Sequence, residues 1–307
     1  MSRVIVVKYI TDKKRCPLSQ DKYKLLLSTG LKTLAGNNQL SAAVKTFLPR
    51  GVVGFKTNCL VRKLNSTPVA LAAAFGDLLV ESGFNDNDIV VWERTNRELE
   101  QAGYKLNASS FGRRCLGTDT NGLGYSDSFY SSGQANSLVS RILTDLVDHN
   151  VNLPVLKDHS IAGLSGCLKN MFGAINNPNK YHDFNCDPFA ADISSLAPIK
   201  TKNRLGVIDA VRIQYHGGPG YAGSYLADYG GLIISADPVA ADRVGLELVE
   251  HFRAKNGLPP LADTGRPVKY LDSAAERGLG VADLNNIDLK VIDIDTDGTA
   301  TDGKLLP

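Results

Sequence analysis

Short apolar runs of β-like character alternate with helix-patterned stretches along almost the whole chain, and that alternation limits the fold more than any other feature. "RVIVVKYI", "GVVGFKTN", "DIVVWER" and "NLPVLKD" read as strands in the first half, "RLGVIDAVRI", "GGLIISAD" and "LKVIDID" in the second. Between them, Asp21 to Leu34, "VALAAAFGDLLVESG" and "PVAADRVGLELVEHFRAKNG" have the length and pattern of helices. The alternation predicts an α/β protein with a mostly parallel or mixed central sheet and helices on both faces. Cap residues place several helix ends. Thr67 before Pro68 opens a helix that stops near Gly83. Thr95 with Glu98 forms a capping-box pattern, and Asp237-Pro238 starts a helix that Gly257 ends. Ala135 to Asp148 reads as helix, after a long loop "GTDTNGLGYSDSFYSSG". The 307 residues fit one α/β domain, or two intimate halves meeting near residues 105–150.

Charge and cysteine usage narrow the function classes. A net charge of +2, with 34 basic and 32 acidic residues spread along the chain, leaves no basic footprint for nucleic acid. No run of about 18 apolar residues offers a membrane span. The cysteines (Cys16, Cys59, Cys115, Cys167, Cys186) are widely spaced without a CxxC pair, so no cysteine-ligated iron–sulfur cluster is expected in this chain. Their odd number argues for reduced surroundings over a disulfide framework. A cytoplasmic location follows, or an exported one if a leader was removed.

In sheets of this build, ligands gather beyond the carboxyl ends of strands. Those ends supply Lys56 and Asn58, Glu93 and Arg94, Lys157, Asp158 and His159, and Asp209. The stretch "LKDHSIAGLSGCLKNMFGAINNPNKYH" concentrates such groups. Read as a helix starting at His159 and Ser160, it aligns Ile161, Leu164, Leu168, Met171, Phe172 and Ile175 on one face. Gly163, Gly166, Cys167 and Asn170 form a small-residue band beside it, and the helix N-terminus would favour an anion. Cys167 reads as a buried structural thiol. His159, His182 and His216, with Asp209, are the candidates for a mixed divalent-metal site. The alternative role for His159 is acid–base or anion binding, beside Lys157 or Lys169. Gly218 and Gly220 begin a formal GxGxxG, "GPGYAG", without a clear following helix, so it reads as a ligand loop rather than a dinucleotide fingerprint. "DIDTDG" near the C-terminus reads as a turn after the last strand, since Lys304 stands where a calcium loop needs Glu.

Taken together, Pro154, Lys157, His159, Lys169, Asn170 and Gly173 in "NLPVLKDHSIAGLSGCLKNMFGAI" resemble the central signature of the family called domain of unknown function 362. "GFKTN" is similar to its earlier Lys-x-Asn strand. Asp209, Gly218, Pro219, Asp237, Pro238 and Asp242 match its later segments, and the likeness runs from about Arg3 to Asp293. Many members carry an attached ferredoxin-like cysteine cluster, which this chain lacks. Asp158 departs from the pattern, where a small or hydroxyl residue is expected.

The expectation is an enzyme acting on a small anionic molecule, with or without a divalent metal, in a pocket at the C-terminal ends of the strands. His159, Lys157 and Lys169 are the catalytic candidates; Lys56, Asn58, Asn170, Asp209, Gly218 and Gly220 are the ligand-binding ones. A non-catalytic carrier of a small acid or metallo-ligand is the first rival. A redox-associated partner without its own cluster is the second.

Overall fold

A computed structural model describes residues 1–11 and 18–307; Cys16 lies outside them. The strands are β1 (Ser2–Tyr9), β2 (Val53–Thr57), β3 (Ile89–Glu93), β4 (Arg114–Gly117), β5 (Tyr130–Ser132), β6 (Ala135–Ser137) and β7 (His149–Leu153). They continue as β8 (Val155–His159), β9 (Gly163–Ser165), β10 (Asn203–Gln214), β11 (Leu226–Ser235), β12 (Ile287–Ile294) and β13 (Ala300–Asp302). Eleven of them form one sheet, in the order β13-β12-β1-β11-β10-β7-β2-β3-β4, with β8 on β10 and β9 on β8. β5 and β6 make a separate hairpin. β12 and β1 run parallel, as do β10, β7, β2, β3 and β4. β11 runs against both of its neighbours, so the sheet is mixed.

The strands alternate their side chains between two cores, as two-sided burial requires. Ile5 and Val7 of β1 pack in one core, Val4 and Val6 in the other; Ile89 and Val91 of β3 oppose Val90 and Trp92 in the same way. Helices α1 (Gln20–Ala35), α2 (Leu40–Phe47), α3 (Val69–Glu81) and α4 (Asn96–Ala102) cover the first side. The second is covered by α5 (Cys167–Asn170), α6 (Phe189–Ser194), α7 (Ala197–Lys202), α8 (Pro238–Lys255) and α9 (Tyr270–Glu276). Thr95 caps α4 by accepting from the Glu98 N–H, and Asp237 caps α8 through the N–H groups of Val239 and Ala240, as expected. The first turn of α3 starts one residue late. Pro68 takes the cap position, because the Thr67 hydroxyl is committed to the Asn58 N–H and the Leu153 carbonyl. Among the described residues no helix is long and apolar enough to cross a membrane.

Two expected helices are absent. Ala135 to Asp148 holds β6 and a single π turn, Ile142–Leu146, because Val139 and Ser140 are drawn into backbone pairing with Ser126 and Ala174. Ser160 to Gly166 is a β-hairpin. Gly163 turns with φ +77°, and a side chain there would meet the Arg266 carbonyl at 2.6 Å. The helix begins only at Cys167, and its first N–H groups are already taken by the Asp242 carboxylate at 2.5 and 2.9 Å. A ligand anion at the start of a helix beginning at His159 is therefore ruled out.

Pro154 decides where the sheet opens. β7 pairs with β2 as far as Leu153 opposite Thr57, and the chain then continues as β8 alongside β10. Proline has no N–H for a ladder. Beyond it, β2 and β8 part, and a cleft forms at their carboxyl ends.

Candidate functional site

The cleft holds a half-open cavity of about 170 Å³, bounded by Lys56 of β2 and Asn58 just after it, Lys157 and His159 of β8, Lys169 and Asn170 of α5, and His182. Six of the nine catalytic and ligand-binding candidates thus meet in one place, and Glu93 and Arg94 of the β3 end join them.

Lys56 is ion-paired with Glu93 at 2.5 Å and donates to the Thr57 carbonyl at 2.6 Å. The remaining Glu93 oxygen accepts from the Cys59 N–H. Gly173 lies over this pair; a Cβ there would come within 2.8 Å of Lys56 Nζ. Lys157 has no such carboxylate. It donates to Asn58 Oδ1 at 2.9 Å and reaches the Asn65 carbonyl at 3.4 Å. From Asn58 a chain of amides runs inward: Asn58 Nδ2 donates to Asn170, Asn170 to Asn152, and Asn152 to the Cys167 carbonyl. This chain fixes the amide orientations on the cavity floor. Asn152 was not among the sequence candidates, although the alternation in "HNVNL" puts it on the same face as Asn150.

Lys169 Nζ lies 3.2 Å from His182 Nε2 and 3.3 Å from the centre of the Phe172 ring. Cys186 also contacts it. Burial pushes both Lys157 and Lys169 down to about 8. Among the described residues neither has a carboxylate partner. Downstream of His182 the chain winds left-handed through Phe184, Asn185 and Cys186, at φ +52°, +58° and +63°. Such backbone costs on the order of 1 kcal/mol or more per residue. It carries the Cys186 thiol to Lys169.

The two imidazoles are held as opposite tautomers. His159 Nδ1 accepts from the backbone N–H groups of Ile161 and Ala162, both at 3.1 Å. That nitrogen must keep its lone pair, so the ring proton sits on Nε2. Burial, with Lys169 next, drives the His159 pKa down to about 3. His159 therefore presents a neutral Nε2–H to the cavity. His182 Nδ1 sits 3.0 Å from the Pro178 carbonyl and donates to it, which leaves Nε2 with a lone pair facing Lys169. The rings stack at 5.8 Å.

The other expected members lie elsewhere. Asp209 is on the opposite face of β10, buried in the α1 core, where it contacts Tyr23 and accepts from the Val211 N–H. One-residue alternation along a strand is enough to send it there. His216 stands beside Asp158 and Arg253, over the Tyr225 ring. Gly218 is packed against Asp158, to which its N–H donates at 2.5 Å, and Gly220 gives its carbonyl to Gln214. Only Pro219 of that loop borders the cavity. The proposed metal set of His159, His182, His216 and Asp209 does not converge. Among the described residues no group of three or more His, Cys, Asp or Glu side chains is placed to hold an ion. The protonated Nε2 of His159 does not suit a metal ligand either.

The family model described as Domain of unknown function (DUF362) matches residues 53–247, from β2 through most of α8. The chain belongs to this family. The matched span contains every cavity residue described above. No curated protein matches the chain. Among solved structures, a protein from Thermotoga maritima has 12% identity over 81% of this chain, with a TM-score of 0.42. The apoprotein of lactate racemase from Thermoanaerobacterium thermosaccharolyticum has 11% identity over 78% of this chain, with a TM-score of 0.43. This DUF362 chain spans 61% and 57% of the lengths of those two proteins.

Proposed function

We propose that the chain is an enzyme acting on a small anionic molecule, most simply a carboxylic acid, bound between the ends of β2 and β8. The observation that carries this reading is the pair of buried lysines, Lys157 and Lys169, that share a cavity whose carboxylates, Glu93 and Glu98, are already paired with Lys56 and Arg94. Burying unpaired charge is costly. An anionic ligand supplies the missing partner. A cavity of about 170 Å³ has room for a small organic acid, since about 150 Å³ admits a benzene.

The roles follow from the geometry. Lys157, backed by Asn58, takes the carboxylate. His159 Nε2–H donates to a substrate oxygen and polarises it while remaining neutral, a use of imidazole known from other enzymes. His182 Nε2 accepts a proton and exchanges it with Lys169.

The test has two arms. Calorimetric titration with small carboxylates at pH 6.5 and 9.5 should give binding that is strong at the lower value and weak at the higher. An anion favours the ammonium forms, which are present below about pH 8 and disappear above it. Solvent-exchange NMR in deuterated water, on the acids that bind, should show hydrogen exchange or consumption that Lys169→Gln abolishes. Binding without any turnover would leave a carrier; no binding at either pH would remove the reading.

A further inference from the structure

We infer that Lys169 is a nucleophile and that the substrate class is small acids bearing an aldehyde or ketone, captured as an iminium with His182 moving the protons. This rests on the anion-binding reading above and deepens it.

The three lysines of one cavity have different surroundings. Lys56 is locked to Glu93 and the Thr57 carbonyl. Lys157 is tied to an amide oxygen and a carbonyl, neither of which takes a proton. Lys169 alone faces a base, the His182 Nε2 lone pair at 3.2 Å. An amine must lose a proton before it attacks a carbonyl, and here the acceptor is in place. Burial supports this by bringing the ammonium near neutrality, so that roughly a tenth of the chains hold the free amine at pH 7.

The rest of the cavity suits the other half of the reaction. The lone polar atom that His159 offers to the cavity is an N–H donor, which a carbonyl oxygen accepts and a carboxylate shares. Lys157 is left for the carboxylate. Phe172 presents its ring face to Lys169 Nζ at 3.3 Å. An iminium carries the same positive charge as the ammonium it replaces, so this cation–π contact survives the step.

The step balances without an added reagent. Lys169 gives one proton to His182 Nε2, and its nitrogen forms a bond to the carbonyl carbon while the C=O π bond breaks. The oxygen takes the proton back from His182, giving a carbinolamine. A second proton leaves the nitrogen through His182 to that hydroxyl, the C–O bond breaks, and water departs. Ammonium and carbonyl have become iminium and water, with one positive charge on each side.

Reductive trapping tests this on the intact chain. The protein is incubated with glyoxylate or pyruvate plus cyanoborohydride at pH 7.5, and the adduct is located by peptide mass mapping. The expected result is one adduct per chain, on Lys169, formed at least tenfold more slowly in His182→Asn. Lys169→Arg should lose it while Lys157→Gln keeps the same attachment site at a higher half-saturating concentration. No adduct, an adduct spread over surface lysines, or one that persists in a folded Lys169→Arg chain would overturn the inference. Acetate and oxalate, which lack a ketone or aldehyde, are titrated in parallel. If they bind while nothing is trapped, the nucleophile is wrong and the anion pocket stands; if they too fail to bind, both fall.

Discussion

Strand β8 separates two groups of buried charge, one on each side of a single residue. Asp158, fully buried, has one carboxylate oxygen 3.1 Å from Arg266 and the other receiving the Gly218 N–H, with His216 at 4.0 Å. Its partners come from two separate segments and leave it nothing to bind. Lys157, its immediate neighbour, points into the cavity beside the neutral His159 and has only an amide oxygen and a carbonyl as partners. Equal burial thus has two meanings. A charge whose partners are complete holds the architecture together, and a charge whose partners are missing awaits a ligand.

The largest expected effect comes from breaking the complete side. Asp158→Ala leaves the half-buried Arg266 without its carboxylate and frees the 216–220 loop. The loss should be about 3–5 kcal/mol in urea unfolding, the usual cost of orphaning one member of a buried pair. A loss below about 1 kcal/mol would show that Asp158 is no more architectural than its neighbours. The next effect belongs to the buried ion pair of the cavity, Lys56 with Glu93. Gly173→Ala places a methyl 2.8 Å from Lys56 Nζ and 2.9 Å from Glu93 Oε1, and both ends are pinned by further hydrogen bonds. Overpacking here should cost about 1–3 kcal/mol. Because Lys157 and Lys169 lie outside that pair, small carboxylates should still bind this variant. Carboxylate binding lost outright would mean that Lys56 and Glu93 are part of the ligand site.

How much of this was readable in advance follows the same division. The parallel strands, the caps Thr95 and Asp237, and the rim residues Lys56, Asn58, Lys157 and His159 are local features: apolar runs, cap chemistry, and polar residues at strand ends. Side-chain direction was less accessible. Asp209 ends up on the far face through a single step of alternation, and the register that settles this comes from pairing with Val155 and Leu232. The hairpin at Ser160–Gly166 was hidden because Ile161, Leu164 and Leu168 mimic a helical spacing, although Ile161 is in fact exposed. Gly163 was the local sign of a turn. The tautomers of His159 and His182 depend on the Ile161, Ala162 and Pro178 backbone, which no side-chain pattern encodes.

The smallest effect is also the sharpest test of the contrast. Lys157→Met removes the charge and keeps most of the side-chain volume. In the folded chain burial holds Lys157 near 8, against 10.5 for an ordinary lysine. Between those values the unfolded chain binds more protons, so this residue makes stability rise with pH across the window, and its full cost stands below about pH 8. Methionine removes that cost but leaves Asn58 Oδ1 without its donor, a loss of about 1 kcal/mol. At pH 7 the two should offset, leaving the variant within about 1 kcal/mol of wild type or slightly more stable. Near pH 10.5 wild type has shed its penalty while the unpaired amide remains, so the variant should become the less stable of the two. Urea unfolding at pH 7 and pH 10 reads both signs. A loss at pH 7 comparable to that of Asp158→Ala would mean that Lys157 holds the fold together as Asp158 does, and the two faces of β8 would no longer differ in kind.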